Sequence, residues 1–185
     1  MSEIQIKIDT DLMKIASEHS EERLKFEYDR FGFSLEQRKS MILIGTLGQL
    51  LFKKFLEDNN VVFDFEFQAG KYDKKDFQIN GKIIEIKCSG FNDKYQHMNL
   101  LYSEDQFDNG LKKKFEYCIQ IFINGYDKST KLLDMTKCTD SVIFGYIEFG
   151  DIKNFKNPKM RYYGDYYKVS LDSLKPISKL LEILK

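Results

Sequence analysis

The stretch Asp76-Phe-Gln-Ile-Asn80-Gly81-Lys-Ile-Ile-Glu85-Ile-Lys87 decides how this chain is read. Asn-Gly between two alternating apolar runs signals a tight β-hairpin, because both central residues of a type I′ turn need positive φ. With Asn80 and Gly81 as the two-residue loop, Ile79 pairs with Lys82, Gln78 with Ile83, Phe77 with Ile84 and Asp76 with Glu85. Pair types alternate outward from the turn. Asp76 and Glu85 therefore form a non-hydrogen-bonded pair, with Cβ atoms about 4.5–5.5 Å apart. Lys87, two residues on, shares their face. The opposite face carries Phe77, Ile79, Ile84, Ile86 and Cys88, an apolar stripe that predicts core.

Two carboxylates set face to face are costly for a purely structural hairpin. Like charges directly opposite each other destabilise a sheet by roughly 0.2–1 kcal/mol, and by more when desolvated. A divalent cation relieves that repulsion. Mg²⁺ suits such a site, since it takes one or two carboxylates and completes its shell with waters and substrate phosphate. Lys87 is placed to neutralise phosphoryl charge or to orient an attacking water. The plain structural alternative is a solvated strand face on which Lys87 bridges two acids.

Asp76 followed by Glu85-Ile-Lys87 on the next strand resembles the metal-binding core of the PD-(D/E)XK nucleases, the restriction-endonuclease-like fold. Lys75 stands where the family has Pro before the first acid. Asp73 is a rival for that first acidic position, but in this register it lies beyond the strand end, opposite Cys88. The resemblance implies an α/β fold with an α-β-β-β-α-β core over about residues 34–124, built as a mixed central sheet flanked by helices. A helical extension (1–33) precedes it, additional strands and a C-terminal helix (125–185) follow, and 1–185 is one nuclease-like domain. The resemblance further implies Mg²⁺, with Mn²⁺ as a substitute, held by Asp76, Glu85 and the backbone carbonyl of Ile86. Lys87 then stabilises charge in the transition state.

Gly45-Thr-Leu-Gly48-Gln49 resembles the Gly-x-x-Gly-Glu pattern of the family's first core helix. Gln49 cannot ionise but can hydrogen-bond a metal-bound water, a substitution that speaks against a second metal ion. The implied activity is metal-dependent phosphodiester hydrolysis, with a DNA endonuclease the expected form and RNA the other substrate the core admits. Double-strand cleavage needs two sites, which implies a homodimer. The alternative is a catalytically inactive nucleic-acid- or protein-binding module on the same fold.

Outside the hairpin, Asp11 to about Arg30 is charged and periodic, one helix or two short ones, broken at Gly32-Phe33. Ser34 and Gln37 form a capping box that opens a largely buried helix over Leu35–Asp58. Strands are expected at Val61–Phe67, Tyr117–Asn124, Ser141–Phe149 and Tyr166–Leu171, with helices at Glu104–Phe115 and from about Leu174 to the end. Ser103 and Gln106 repeat the capping-box pattern. That role explains Gln106, although its place after the hairpin also allows a reach into the site.

The remaining polar candidates have ordinary explanations beside functional ones. Lys94 and His97 lie in a polar loop, where a histidine is more often a surface residue than a general base. Arg161, Tyr163 and Lys168 belong to a run that interleaves basic and aromatic residues, as a nucleic-acid-binding loop or a tyrosine-rich strand entry would. Lys112-Lys113-Lys114 reads as a solvated helix face. The chain has 185 residues, 42% hydrophobic and 31% charged, with 29 basic and 29 acidic residues. Zero net charge argues against a protein that coats nucleic acid nonspecifically. Three widely spaced cysteines suit a reducing compartment, and neither a membrane-spanning run nor a signal-peptide core is present. A cytoplasmic, membrane-free protein is the expectation.

Overall fold

The computed structural model describes residues 3–26, 32–65, 76–160 and 164–185. The turn at its centre forms as its residues require: Asn80 has φ 48° and Gly81 φ 80°. The register follows, with Phe77 opposite Ile84, Gln78 opposite Ile83 and Ile79 opposite Lys82.

In chain order the elements are β1 (Ile4–Lys7), α1 (Thr10–Leu24), α2 (Leu35–Asp58), β2 (Phe77–Ile79), β3 (Lys82–Phe91), β4 (Asn99–Ser103) and α3 (Glu104–Lys112). They continue with β5 (Tyr117–Asn124), β6 (Tyr126–Asp127), β7 (Leu132–Leu133), β8 (Asp140–Glu148), β9 (Lys156–Met160), β10 (Gly164–Ser170) and α4 (Ile177–Leu184). The fold is mixed α/β. A five-stranded sheet has the order β1-β8-β5-β3-β2, and a three-stranded sheet the order β4-β10-β9. Within the larger sheet β3 and β5 run parallel, whereas β2 with β3, β5 with β8 and β1 with β8 are antiparallel.

Side-chain alternation divides the core between the two faces of this sheet. On one face Ile84, Ile86, Ile119 and Ile121 pack with Leu47, Leu51 and Phe52 of α2 and Leu180 of α4. On the other, Cys118, Phe122 and Phe144 pack with Leu100 and Tyr102 of β4, Phe107 of α3 and Val169 of β10. Gly48 lets α2 approach the hairpin: a Cβ there would stand 2.7 Å from the Cβ of Cys88. The next residue, Gln49, is thereby brought down onto the end of β2.

Both expected capping boxes are present, at Ser34–Gln37 and Ser103–Gln106. Four expectations need correction. The N-terminal extension is not wholly helical, because Ile4–Lys7 adds an edge strand to β8. The helix after Ser103 stops at Lys112, with Lys114 at φ 60°. The last helix starts at Ile177 rather than Leu174, since Pro176 is its N-cap and Lys175 bridges Tyr146. Of the strand expected at Val61–Phe67, residues 61–65 make only a bridge from Asp64 to Gln78, and 66–67 lie outside the described residues. No described helix is long and apolar enough to cross a membrane.

Candidate active site

β2 is only three residues long, while β3 continues for ten. Among the described residues the edge of β3 has no ladder partner past Ile84, and Asp76 takes that place. Its Oδ2 accepts from the Ile86 N–H at 2.6 Å. Strand N–H groups lie in the plane of the sheet, so the carboxylate occupies the gap beside β3 past the last described pair. The N–H and C=O of one extended residue point the same way, and the Ile86 carbonyl therefore opens toward this gap as well. The expected cross-strand pairing of Asp76 with Glu85 is thus replaced by a side-chain bond to the next residue along.

The other oxygen, Oδ1, accepts from Gln49 Nε2 at 2.6 Å. Gln49 Oε1 in turn accepts from Arg23 Nη1 at 3.1 Å. Gln49 is buried within α2, and Arg23 stands in the last turn of α1. Gln49 therefore contacts the acid directly.

On the sheet face turned away from α2, Lys87 Nζ lies 3.8 Å from Glu85 Oε1. It also sits over the Tyr102 ring at 4.3 Å, a cation–π contact, and the Tyr102 hydroxyl is 3.0 Å from Cys118 Sγ. The Glu85 and Lys87 side chains retain 20% and 23% exposure, so both are half-buried at the margin of this packed face.

The electrostatics match a cramped acid pair. Burial raises the Asp76 carboxyl above its ordinary value, opposed by the Ile86 N–H, the Gln49 amide and the charges of Arg23 and Lys87. Glu85 is pushed up to about 8, first by burial and then by the charge of Asp76, against the pull of Lys87 and Lys113. With Asp76 charged beside it, Glu85 holds its proton more readily than a free carboxyl does. A divalent cation would reverse that preference.

The donors fit a hard cation. Asp76, Glu85 and the Ile86 carbonyl all offer oxygen donors, the kind a hard cation takes. Among the described residues no group of three or more His, Cys, Asp or Glu side chains is assembled. Two carboxylates with water completing the shell is a Mg²⁺ pattern rather than a Ca²⁺ cage.

The other candidates are not gathered here. Gln106 accepts from the Ser103 N–H in its capping box. Lys94 and His97 are exposed in the loop between β3 and β4, and Lys168 is exposed on β10 opposite Leu101. Among the described residues no hydrogen bond or ion pair joins these three to the acids. Arg161 and Tyr163, like Asp73, lie outside the described residues. Arg23, Tyr102 and Lys113 are contributors that sequence reading missed. The first two come from a charged helix and an unrecognised strand, and no local pattern marks either. Lys113 was visible within Lys112-Lys113-Lys114, yet nothing in that run distinguishes its effect on Glu85.

No family model, curated protein or solved structure matches this chain.

Proposed function

We propose that the chain is a metal-dependent nuclease that hydrolyses phosphodiester bonds, with DNA as its substrate and endonucleolytic cleavage as its mode. One observation carries this reading. A half-buried carboxylate, fixed at both oxygens, lies beside a second carboxyl raised to about 8 and a lysine 3.8 Å from it, both of which keep about a fifth of their surface in solvent. The antiparallel β2–β3 hairpin, the parallel β3–β5 pair and the preceding α2 support a restriction-endonuclease-like core.

Asp76, Glu85 and the Ile86 carbonyl would hold Mg²⁺, which when bound would supply Lewis-acid polarisation of the phosphate and a more acidic water. This chain's own residues do the rest. Gln49 and the Ile86 N–H fix the Asp76 carboxylate, so no reorientation is needed as charge develops. Lys87, steered by the Tyr102 ring, presents its ammonium to the phosphoryl oxygens. Glu85, its proton lost, would be the second carboxylate ligand.

The test is incubation with Mg²⁺ or Mn²⁺ and plasmid, linear, single-stranded and branched DNA, and RNA, for the protein and its Asp76→Asn variant. Cation-dependent cleavage that disappears in the variant is expected. Nucleic-acid binding without cleavage by the unmodified protein would sink the assignment in favour of an inactive binding module.

A further inference from the structure

The array Arg23–Gln49–Asp76 has a directionality that its chemistry fixes. A guanidinium only donates and a carboxylate only accepts, whereas a glutamine amide does one at each end. Arg23 Nη1 engages Gln49 Oε1 at 3.1 Å, and Gln49 Nε2 engages Asp76 Oδ1 at 2.6 Å. Turning the amide over would set its NH₂ against the guanidinium and its oxygen against the carboxylate. Both contacts would become repulsive together.

We propose that Arg23 is a positioning residue: by holding Gln49 Oε1 it fixes the amide that locks the Asp76 carboxylate at the end of β2. The proposal rests on the nuclease reading for its kinetic consequence, but its structural content is independent of that reading. Three further observations support it. α1 and α2 pack against each other, so the guanidinium is delivered by a rigid neighbour rather than by a loop. The contact joins residues 26 positions apart and is partly buried. The charge of Arg23 also favours the ionised form of Asp76. With Oδ2 already taken by the Ile86 N–H, the Gln49 contact removes the remaining rotation of the carboxylate about its Cβ–Cγ bond. Asp76 thus depends on a helix lying before α2 in the chain, a dependence the hairpin motif does not contain.

The test compares Arg23→Met, Arg23→Lys and Gln49→Leu, alone and as Arg23→Met/Gln49→Leu. Calorimetry gives the Mn²⁺ affinity of the full chain, and cleavage kinetics give kcat and KM. Proton–nitrogen spectra of the metal-free protein follow the Gln49 side-chain amide. Arg23→Met should weaken Mn²⁺ binding and lower kcat each by about tenfold, the size of one hydrogen bond to a charged group. KM for DNA should stay within about twofold, since no substrate contact is removed. Arg23→Lys, which keeps a donor and the charge, should recover most of the loss.

In the Gln49→Leu background Arg23→Met should add less than about twofold, because residues acting through one another are not additive. A merely structural role would instead lower thermal stability equally in both backgrounds. The Gln49 amide signals should shift toward free-amide positions in Arg23→Met. Unchanged amide signals, or a full Arg23→Met effect on top of Gln49→Leu, would overturn the proposal. Should the unmodified protein neither bind Mn²⁺ nor cleave while the amide signals still move, the nuclease reading falls and the positioning role stands.

Discussion

The two faces of the β2–β3 hairpin share one backbone and one register, yet their energetics run in opposite directions. Toward α2, Phe77, Ile79 and Ile84 are fully buried, and Phe77 meets Phe52 edge-on at 5.1 Å between ring centroids. Every atom removed from water there stabilises the fold. On the other face and at the strand end, Asp76, Glu85 and Lys87 crowd charge into a partly desolvated space, where burial raises both acids. The apolar face supplies the stability that allows the charged one to be strained. Sites that work against local stability in this way are where function is expected.

The strongest way to break that contrast is to remove the charge while keeping the shape. Glu85→Gln should lower cleavage by about 10³-fold or more, the several kcal/mol that metal-centred charge stabilisation is worth. The same variant should leave the fold intact and make the metal-free protein more stable above pH 8. Retained cleavage would show that the acid pair is not the site.

The apolar face answers with the opposite phenotype. Phe77→Ala should cost about 3–5 kcal/mol in urea denaturation, because it empties a tightly packed core position. Where the variant stays folded, Mn²⁺ affinity should change little. A loss of metal binding larger than the loss of stability would mean the two faces are coupled.

pH sharpens the comparison. Glu85 lies at about 8 in the folded chain against an ordinary 4.5. Its folded-state pKa is raised, so the folded chain holds the proton more tightly than the unfolded one. The associated stability is fully present below about pH 4.5 and is lost as pH rises toward 8. Thermal melts of the metal-free protein should therefore decline across that window. Glu85→Gln should flatten the slope, and Mg²⁺ at pH 8 should restore stability by binding only the folded form. A flat profile in the unmodified protein would remove the electrostatic strain from the account.

The smallest expected effect concerns Lys87. Tyr102→Phe keeps the ring beneath the ammonium and should alter kcat by less than threefold or so, whereas Tyr102→Leu removes the cation–π contact, worth roughly 0.5–2 kcal/mol. A Phe variant as impaired as the Leu variant would transfer the role to the Tyr102 hydroxyl and its Cys118 contact.

Much of the site's frame was legible in the residues. Asn80-Gly81 set the turn, and period-two alternation set which side chains share a face. Ser34 and Ser103 marked two helix starts through bonds that reach only three residues. The misreadings have a common cause. β1 and β4 are short, and their partners β8 and β10 lie far along the chain, so no local pattern declares them. Asp76 was expected simply to oppose Glu85, yet among the described residues the ladder stops at Phe77 and the Asp76 carboxylate bonds the edge of β3 instead.

By itself, then, the sequence determined a hairpin with an acidic and an apolar face, because turn chemistry and strand periodicity act over a few residues. Only the tertiary structure decided what holds each charge. Gln49 and Arg23 reach Asp76 from two helices, and Tyr102 reaches Lys87 from another sheet. Such contacts depend on how whole elements pack, through close approaches like that of Gly48 to Cys88. Packing brings distant residues together without leaving a periodic trace in the chain.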